Sequence, residues 1–177
     1  MKEVRVKREG LENQLKKIRM FRYLSIDSIC TMIERSVFLR AEAGERIIEE
    51  GTTDDHLYVI IERSVAVTVR ENDKDVYICT LGAGDVVGEA AVFTEFKRTA
   101  TVTANDDMTL LSINREAFIT TLQENPQAGL RILFSMVHSL LSKLREVNLE
   151  LAFERREQSD QEQVDDLIDS LLGEINT

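Results

Sequence analysis

The sequence predicts a mainly β protein with flanking helices: an antiparallel, jelly-roll-like β-roll of about eight strands, N-terminal helices and a long C-terminal dimerisation helix. Three observations predict it. Between Val37 and Ile113, short runs rich in β-branched and aromatic residues alternate with turn residues. Residues 11–35, and the chain beyond Pro126, carry apolar residues at helical spacing instead. Five of the eight glycines, Gly44, Gly51, Gly82, Gly84 and Gly88, fall in the β stretch, where tight corners need positive φ.

The elements follow in order. Residues 1–20 hold seven Lys/Arg against three Asp/Glu and read as a basic N-terminal helix. Leu11, Leu15, Ile18, Phe21, Leu24, Ile29 and Ile33 recur at three to five residues, and Ser25 before Ile26 is a helix cap that separates two short helices. Residues 21–126 form the roll. Its strands are read at Val37–Leu39, Arg46–Ile48, Leu57–Ile61, Val65–Val69, Val76–Cys79, Ala100–Thr103 and Thr109–Ile113. Val65, Val67 and Val69 alternate with polar residues as in a half-buried strand, and Glu71-Asn72-Asp73-Lys74-Asp75 is its hairpin turn.

Residues 127–157 read as one long coiled-coil-like helix. Leu130, Leu133, Val137, Leu140, Leu144, Val147 and Leu151 are spaced alternately three and four apart, a narrow seam that suits a parallel homodimer, while Phe134, Met136 and Leu141 lie beside it, available to touch the roll. Packing of this helix on its own roll is the alternative. Residues 158–177 are an acidic tail: the polar stretch Gln158–Gln163 reads as a linker, and Val164, Leu167, Ile168, Leu171 and Leu172 form a short amphipathic helix.

Composition narrows the function. At 177 residues and 43% apolar content, the chain can build a core, which excludes a wholly disordered protein. A net charge of −10 argues against a general nucleic-acid binder, which needs a cationic face. Cys30 and Cys79 are too few for a disulfide scaffold and read as reduced core thiols. The charged start has no apolar signal region, and no apolar run reaches membrane-spanning length, so the expectation is a soluble cytoplasmic protein without a membrane partner.

The chemistry concentrates between Leu81 and Ala104. A strand there ends at a glycine-lined corner, Gly88 removes side-chain bulk, and Glu89-Ala90-Ala91 opens a short helix whose free backbone N–H groups suit an anion. Nine residues after Glu89 comes Arg98, whose planar guanidinium suits a phosphate. Glu89, an acceptor when ionised, suits a sugar hydroxyl and is placed to orient Arg98. Together these groups describe a pocket for a ribose phosphate.

Gly88-Glu89-Ala90-Ala91 and Arg98-Thr99-Ala100-Thr101-Val102 keep the order and spacing of the phosphate-binding cassette of the cyclic nucleotide-binding domain family, which includes catabolite-activator regulators and the regulatory domains of cyclic-nucleotide kinases. Gly44-Glu45, Glu50-Gly51, Leu57-Tyr58-Val59-Ile60 and Leu81-Gly82-Ala83-Gly84-Asp85 also resemble that family, from about Leu15 to Leu151. The resemblance implies cAMP or cGMP as ligand, cAMP being favoured, with Arg98, the Thr99 hydroxyl and the Ala90 and Ala91 amides on the phosphate. It implies Glu89 and the Gly88 backbone on the ribose 2′-hydroxyl, with Val87 just before them. The sequence departs from the family pattern at Val87, at Lys97, where proline is common, and at Arg63, a hairpin position usually held by glycine. Ser142-Lys143-Leu144 stands where related regulators cap the base with Thr or Ser.

The resemblance further implies a stand-alone, non-catalytic sensor or adaptor, since the 26 acidic-rich residues after Leu151 leave no room for a helix-turn-helix domain and hence no DNA partner. Its output would pass to a protein partner. Residues 163–172 resemble acidic C-terminal peptides that dock on response-regulator receiver domains, with Leu167, Ile168 and Leu171 as anchors. Two other readings stay open: a dimeric scaffold with a degenerate pocket, and a cupin-like metal enzyme. The latter needs clustered ligands, whereas the two histidines are His56, read in a turn, and His138, on the heptad helix, so no metal is expected.

Overall fold

The computed structural model describes the backbone of residues 1–6, 11–18, 20–22 and 24–175, and their side chains up to Phe153 apart from residues 14, 146 and 150. Nine strands are seen among the described residues, in two antiparallel sheets. They are β1 (Lys2–Glu3), β2 (Val37–Ala41), β3 (Arg46–Ile48), β4 (His56–Ile60), β5 (Ser64–Glu71), β6 (Lys74–Gly82), β7 (Val86–Val87), β8 (Thr101–Ala104) and β9 (Met108–Asn114). One sheet has the order β1-β2-β9-β4-β7, the other β3-β8-β5-β6. The helices are α1 (Leu11–Leu15), α2 (Ile26–Glu34), α3 (Arg115–Glu124) and α4 (Pro126–Ile175). The chain divides into two units, Met1–Ser135 and Met136–Thr177.

Each sheet turns apolar side chains inward, and Ile47, Ile48, Tyr58, Ile60, Val102 and Leu110 meet in one cluster drawn from both. Burying a side chain of this size contributes about 1.5–3 kcal/mol. The strand β9 is central in its sheet, and its Leu110, Leu111 and Ile113 are wholly buried. The hairpin β5–β6 closes through Asn72 and Asp73 at positive φ, residue types that tolerate the left-handed region.

Capping fixes the helices that flank the roll. The Ser25 hydroxyl accepts the Ser28 amide at 3.2 Å at the start of α2, and the Asn114 side chain accepts the Ala117 amide at 2.8 Å at the start of α3. Arg35, at the end of α2, donates to both carboxylate oxygens of Glu124 at 2.6 and 2.7 Å. The Asn125 side chain donates to the Ser28 hydroxyl at 3.1 Å. These contacts tie α2 to the α3–α4 junction. Within the first unit, a Cβ on Gly129 would stand 3.0 Å from Leu122, so glycine lets the start of α4 close on α3.

Several expectations need correction. The first residues are not helical: Lys2 pairs with Arg40 and Glu3 with Leu39. The alternation of Val4 and Val6 with charge has period two, and the edge of β2 offers unpaired backbone groups. Cys30 is exposed on α2 and Cys79 is half-buried on β6, neither in a disulfide, so the core placement holds for neither. His56 is the first residue of β4, not a turn residue. Residues 158–163 continue α4 as helical backbone, because this polar stretch contains neither glycine nor proline. Of the three residues beside the seam, Phe134 and Leu141 are exposed and Met136 is buried, and on the same helix Ala128, Ile132 and Ser135 are buried too. On the heptad seam, Leu130, Val137, Leu140, Leu144, Val147 and Leu151 are exposed and Leu133 is half-buried. The side chains of Leu167, Ile168 and Leu171 lie outside the described residues. No helix among the described residues is long and apolar enough to cross a membrane.

Candidate functional site

After β7, Gly88 takes φ +76°, and Glu89–Val92 form a single 3₁₀ turn. A Cβ at Gly88 would stand 2.5 Å from Arg98 Nη1 and 3.1 Å from the His56 carbonyl, so glycine is required twice over, by conformation and by space. The sequence-predicted short helix is therefore present, in a tighter form. The Ala91 amide donates to the Gly88 carbonyl at 3.1 Å, which closes the turn. Val87 pairs with Tyr58 and its side chain belongs to the core, leaving only its backbone near the cassette. Glu89 is half-buried, and Ala90 and Thr99 are exposed.

Arg98 is 7% exposed, although an isolated guanidinium in that position carries a large desolvation cost. Its backbone is pinned first: the Arg98 amide donates to the Thr52 carbonyl at 2.8 Å and the Gly51 amide to the Arg98 carbonyl at 2.9 Å. The side chain then turns inward. Nη2 donates to the His56 carbonyl at 2.5 Å and lies 2.9 Å from Asp54 Oδ2, while Nη1 donates to the Gly88 carbonyl at 3.2 Å. Nε is a buried donor with no acceptor among the described residues. A buried N–H of this kind suits an anionic oxygen.

Asp54 is a carboxylate that orients Arg98, one that the sequence reading does not name. Burial by itself would raise the Asp54 carboxyl, but bonds from Arg98 and from the His56 amide and ring outweigh it and hold the group below the usual carboxylate value. Tyr58, whose hydroxyl donates to Asp54 Oδ2 at 3.3 Å, is pushed up to about 12 by burial and by that negative charge. Neither residue stands in a local motif with Arg98. The paired backbone hydrogen bonds of Arg98 with Gly51 and Thr52 bring it beside the segment that leads into β4.

A second arginine supports the cassette from outside. Arg115, first residue of α3, donates through Nε and Nη2 to the Ala91 carbonyl at 3.1 and 2.7 Å, and through Nη2 to the Thr94 carbonyl. Phe93 meets Phe118 of α3 edge to face, with ring centroids 5.7 Å apart. Both contacts fasten the cassette to α3. Sequence reasoning misses them because Arg115 lies beyond the motif.

Asp54, Asp55 and His56 form the one group of three possible metal-ligating side chains among the described residues. The Arg98 guanidinium on Asp54 opposes a second cation there, so the donor set suits an ion-pair network better than a metal. A cavity of about 500 Å³ beside it is lined by Thr53, Asp54, Asp55, Glu95, Phe96 and Arg115. A cleft of about 930 Å³ lies elsewhere, at the N-terminal strand between Lys2, Arg40, Glu45 and Asp107. The Ser142 hydroxyl donates to the His138 carbonyl at 2.9 Å.

Residues 38–125 match the family described as the cyclic nucleotide-binding domain. The type II regulatory subunit of cAMP-dependent protein kinase from Drosophila melanogaster is 32% identical over 106 residues, which is 60% of this chain and 28% of that protein. The cGMP-dependent protein kinase egl-4 of Caenorhabditis briggsae is 31% identical over 114 residues, 63% of this chain and 14% of that protein. The chain therefore spans less than a third of the length of these relatives. Among solved structures, a cyclic nucleotide-binding domain from Methylobacillus flagellatus superposes with a TM-score of 0.69 at 23% identity over 78% of each chain, a likeness of fold.

Proposed function

The chain carries, at residues 38–125, a domain of the cyclic nucleotide-binding family, and on that premise we propose that it is a non-catalytic sensor of cAMP or cGMP, with cAMP the favoured ligand. One observation carries the reading: Arg98 is buried under the Gly88 turn, with its Nη groups fixed and its Nε–H still lacking an acceptor among the described residues. A cyclic phosphate supplies that acceptor, and its single negative charge offsets a cation that Asp54 only partly neutralises. The Thr99 hydroxyl and the Ala90 amide add donors to the phosphate. Because the Ala91 amide already closes the turn, it contributes to the phosphate only as a shared donor. Glu89 and the Gly88 backbone hold the ribose 2′-hydroxyl.

Binding there orders the loop between Ala91 and Arg98. Arg115 and the Phe93–Phe118 contact carry that ordering to α3, a local change with the shape of a switch. The output runs through α4, whose exposed apolar seam pairs with a second copy, and through the acidic tail, whose Leu167, Ile168 and Leu171 dock on a protein partner such as a receiver domain.

A second reading, a dimeric scaffold with a degenerate pocket, draws on the same arginine. Asp54 and two carbonyls already hold Arg98, so it also stabilises the protein without a ligand. A thermal-shift screen with cAMP, cGMP and cyclic dinucleotides separates the two. A ligand at 100 times its Kd adds about 2.7 kcal/mol. Calorimetry then shows binding lost in Arg98→Ala if the sensor reading holds, whereas no shift with any nucleotide leaves the scaffold.

A further inference from the structure

We infer that His56 makes ligand binding at the cassette proton-linked, protonation of its ring drawing on the Asp54 carboxylate that holds Arg98, so that an anionic ligand binds more tightly as pH falls. The inference rests on the cassette being a cyclic nucleotide site.

The juxtaposition is specific. His56 Nδ1 lies 2.9 Å from Asp54 Oδ1 and 2.9 Å from Asp55 Oδ1. The opposite oxygen of Asp54 faces Arg98 Nη2 at 2.9 Å. One carboxylate thus stands between the Arg98 guanidinium and an imidazole ring. A neutral imidazole offers a proton at Nδ1 in only one tautomer, whereas the imidazolium always does and adds a full charge.

Charged and titratable groups face the ring from every element packed against it. Asp54 and Asp55 precede it on the chain, and Tyr58, whose ring centroid lies 6.3 Å away, is pushed up to about 12. Arg98 approaches from the cassette. From α3 comes Arg115, whose backbone amide donates to the Asp55 carbonyl at 2.9 Å. Glu95 of the cassette loop lines the same cavity as Arg115, Asp54 and Asp55. The ring is 40% exposed to solvent.

The sign follows from two effects that act together. Protonation adds positive charge beside the anion, and it shares Asp54 more fully with His56, which leaves more of the Arg98 charge for the phosphate. By linkage, ligand binding then takes up a proton.

The test is isothermal calorimetry of the whole chain with cAMP at about pH 6 and about pH 8, each in two buffers of different ionisation enthalpy. The expected result is a Kd roughly three- to tenfold lower at the acid pH, since coupling of one pKa unit is tenfold, with net proton uptake on binding. In His56→Gln the two Kd values should differ by less than about twofold, and His138→Gln should behave as the parent. A parent Kd that is flat with pH, or the same slope in His56→Gln, overturns the inference and leaves the cassette reading intact. The same titration is run with cGMP where cAMP gives no heat, and absence of binding by both at both pH values overturns both. The proton count is read on the unsubstituted chain, so the result stands whether or not the variant folds.

Discussion

Asp54 Oδ2 lies 2.9 Å from Arg98 Nη2, although 44 residues separate the two in sequence. This pair converts a costly buried guanidinium into a fixed part of the cassette. It also makes the site's geometry depend on β4 as much as on the cassette itself.

Removing the carboxylate should therefore cost both stability and affinity. Asp54→Asn is expected to lower the unfolding free energy by about 1–3 kcal/mol at neutral pH, the penalty of a buried charged donor losing its partner. A carboxyl depressed in the folded state adds stability above its unfolded pKa, about 3.9, and loses it as pH falls through the lower folded value. The difference between parent and variant in urea titrations should shrink below about pH 4. A difference that grows on acidification contradicts the depressed Asp54.

Gly88→Ala places a Cβ 2.5 Å from Arg98 Nη1 on a backbone at φ +76°. The conformation costs about 1–2 kcal/mol on its own, and the guanidinium must leave its place. Chemical denaturation should show at least the first loss, and calorimetry with cAMP should show an affinity reduced about tenfold or more, since about 1.4 kcal/mol is a factor of ten.

Arg63 tests the same physics with the opposite sign. It holds φ +68°, and glycine relieves the left-handed strain at a smaller entropic cost. Arg63→Gly is expected to stabilise the protein by about 0.5–1 kcal/mol in thermal or urea unfolding. A loss of stability would mean that the Arg63 side chain contributes more than its backbone costs.

The apolar seam of α4 is exposed at Val137, by 52%, and at Leu144, by 56%. If a second copy covers it, Val137→Glu with Leu144→Glu should move the protein from dimer to monomer in sedimentation velocity, because each substitution leaves a charge in an apolar contact. The β-roll unit should keep its thermal transition. A species of unchanged size argues against the seam as the dimer contact.

The local parts of the site are legible in the sequence. Gly88, Glu89 and Arg98 sit within eleven residues of one another, and a phosphate site built on a short turn needs these residue types at that spacing. The hairpin at Asn72-Asp73 and the cap at Ser25 depend only on neighbours a few residues away, and local chemistry of that kind is written in local sequence. Asp54 is not legible, because one carboxylate among 32 acidic residues carries no mark of its partner. The strand β1 is equally hidden, since its pairing depends on where the edge of β2 happens to stand.

By itself, then, the sequence determined that this protein builds a β-roll between helices and places a guanidinium nine residues after a Gly-Glu turn. Only the tertiary structure decided which carboxylate holds that guanidinium, that His56 shares it, and that Arg115 fastens the cassette to α3. The physical reason is that hydrophobic period and turn chemistry act over a few residues. The Asp54–Arg98 pair joins two segments 44 residues apart, which meet only once the folded chain sets them side by side.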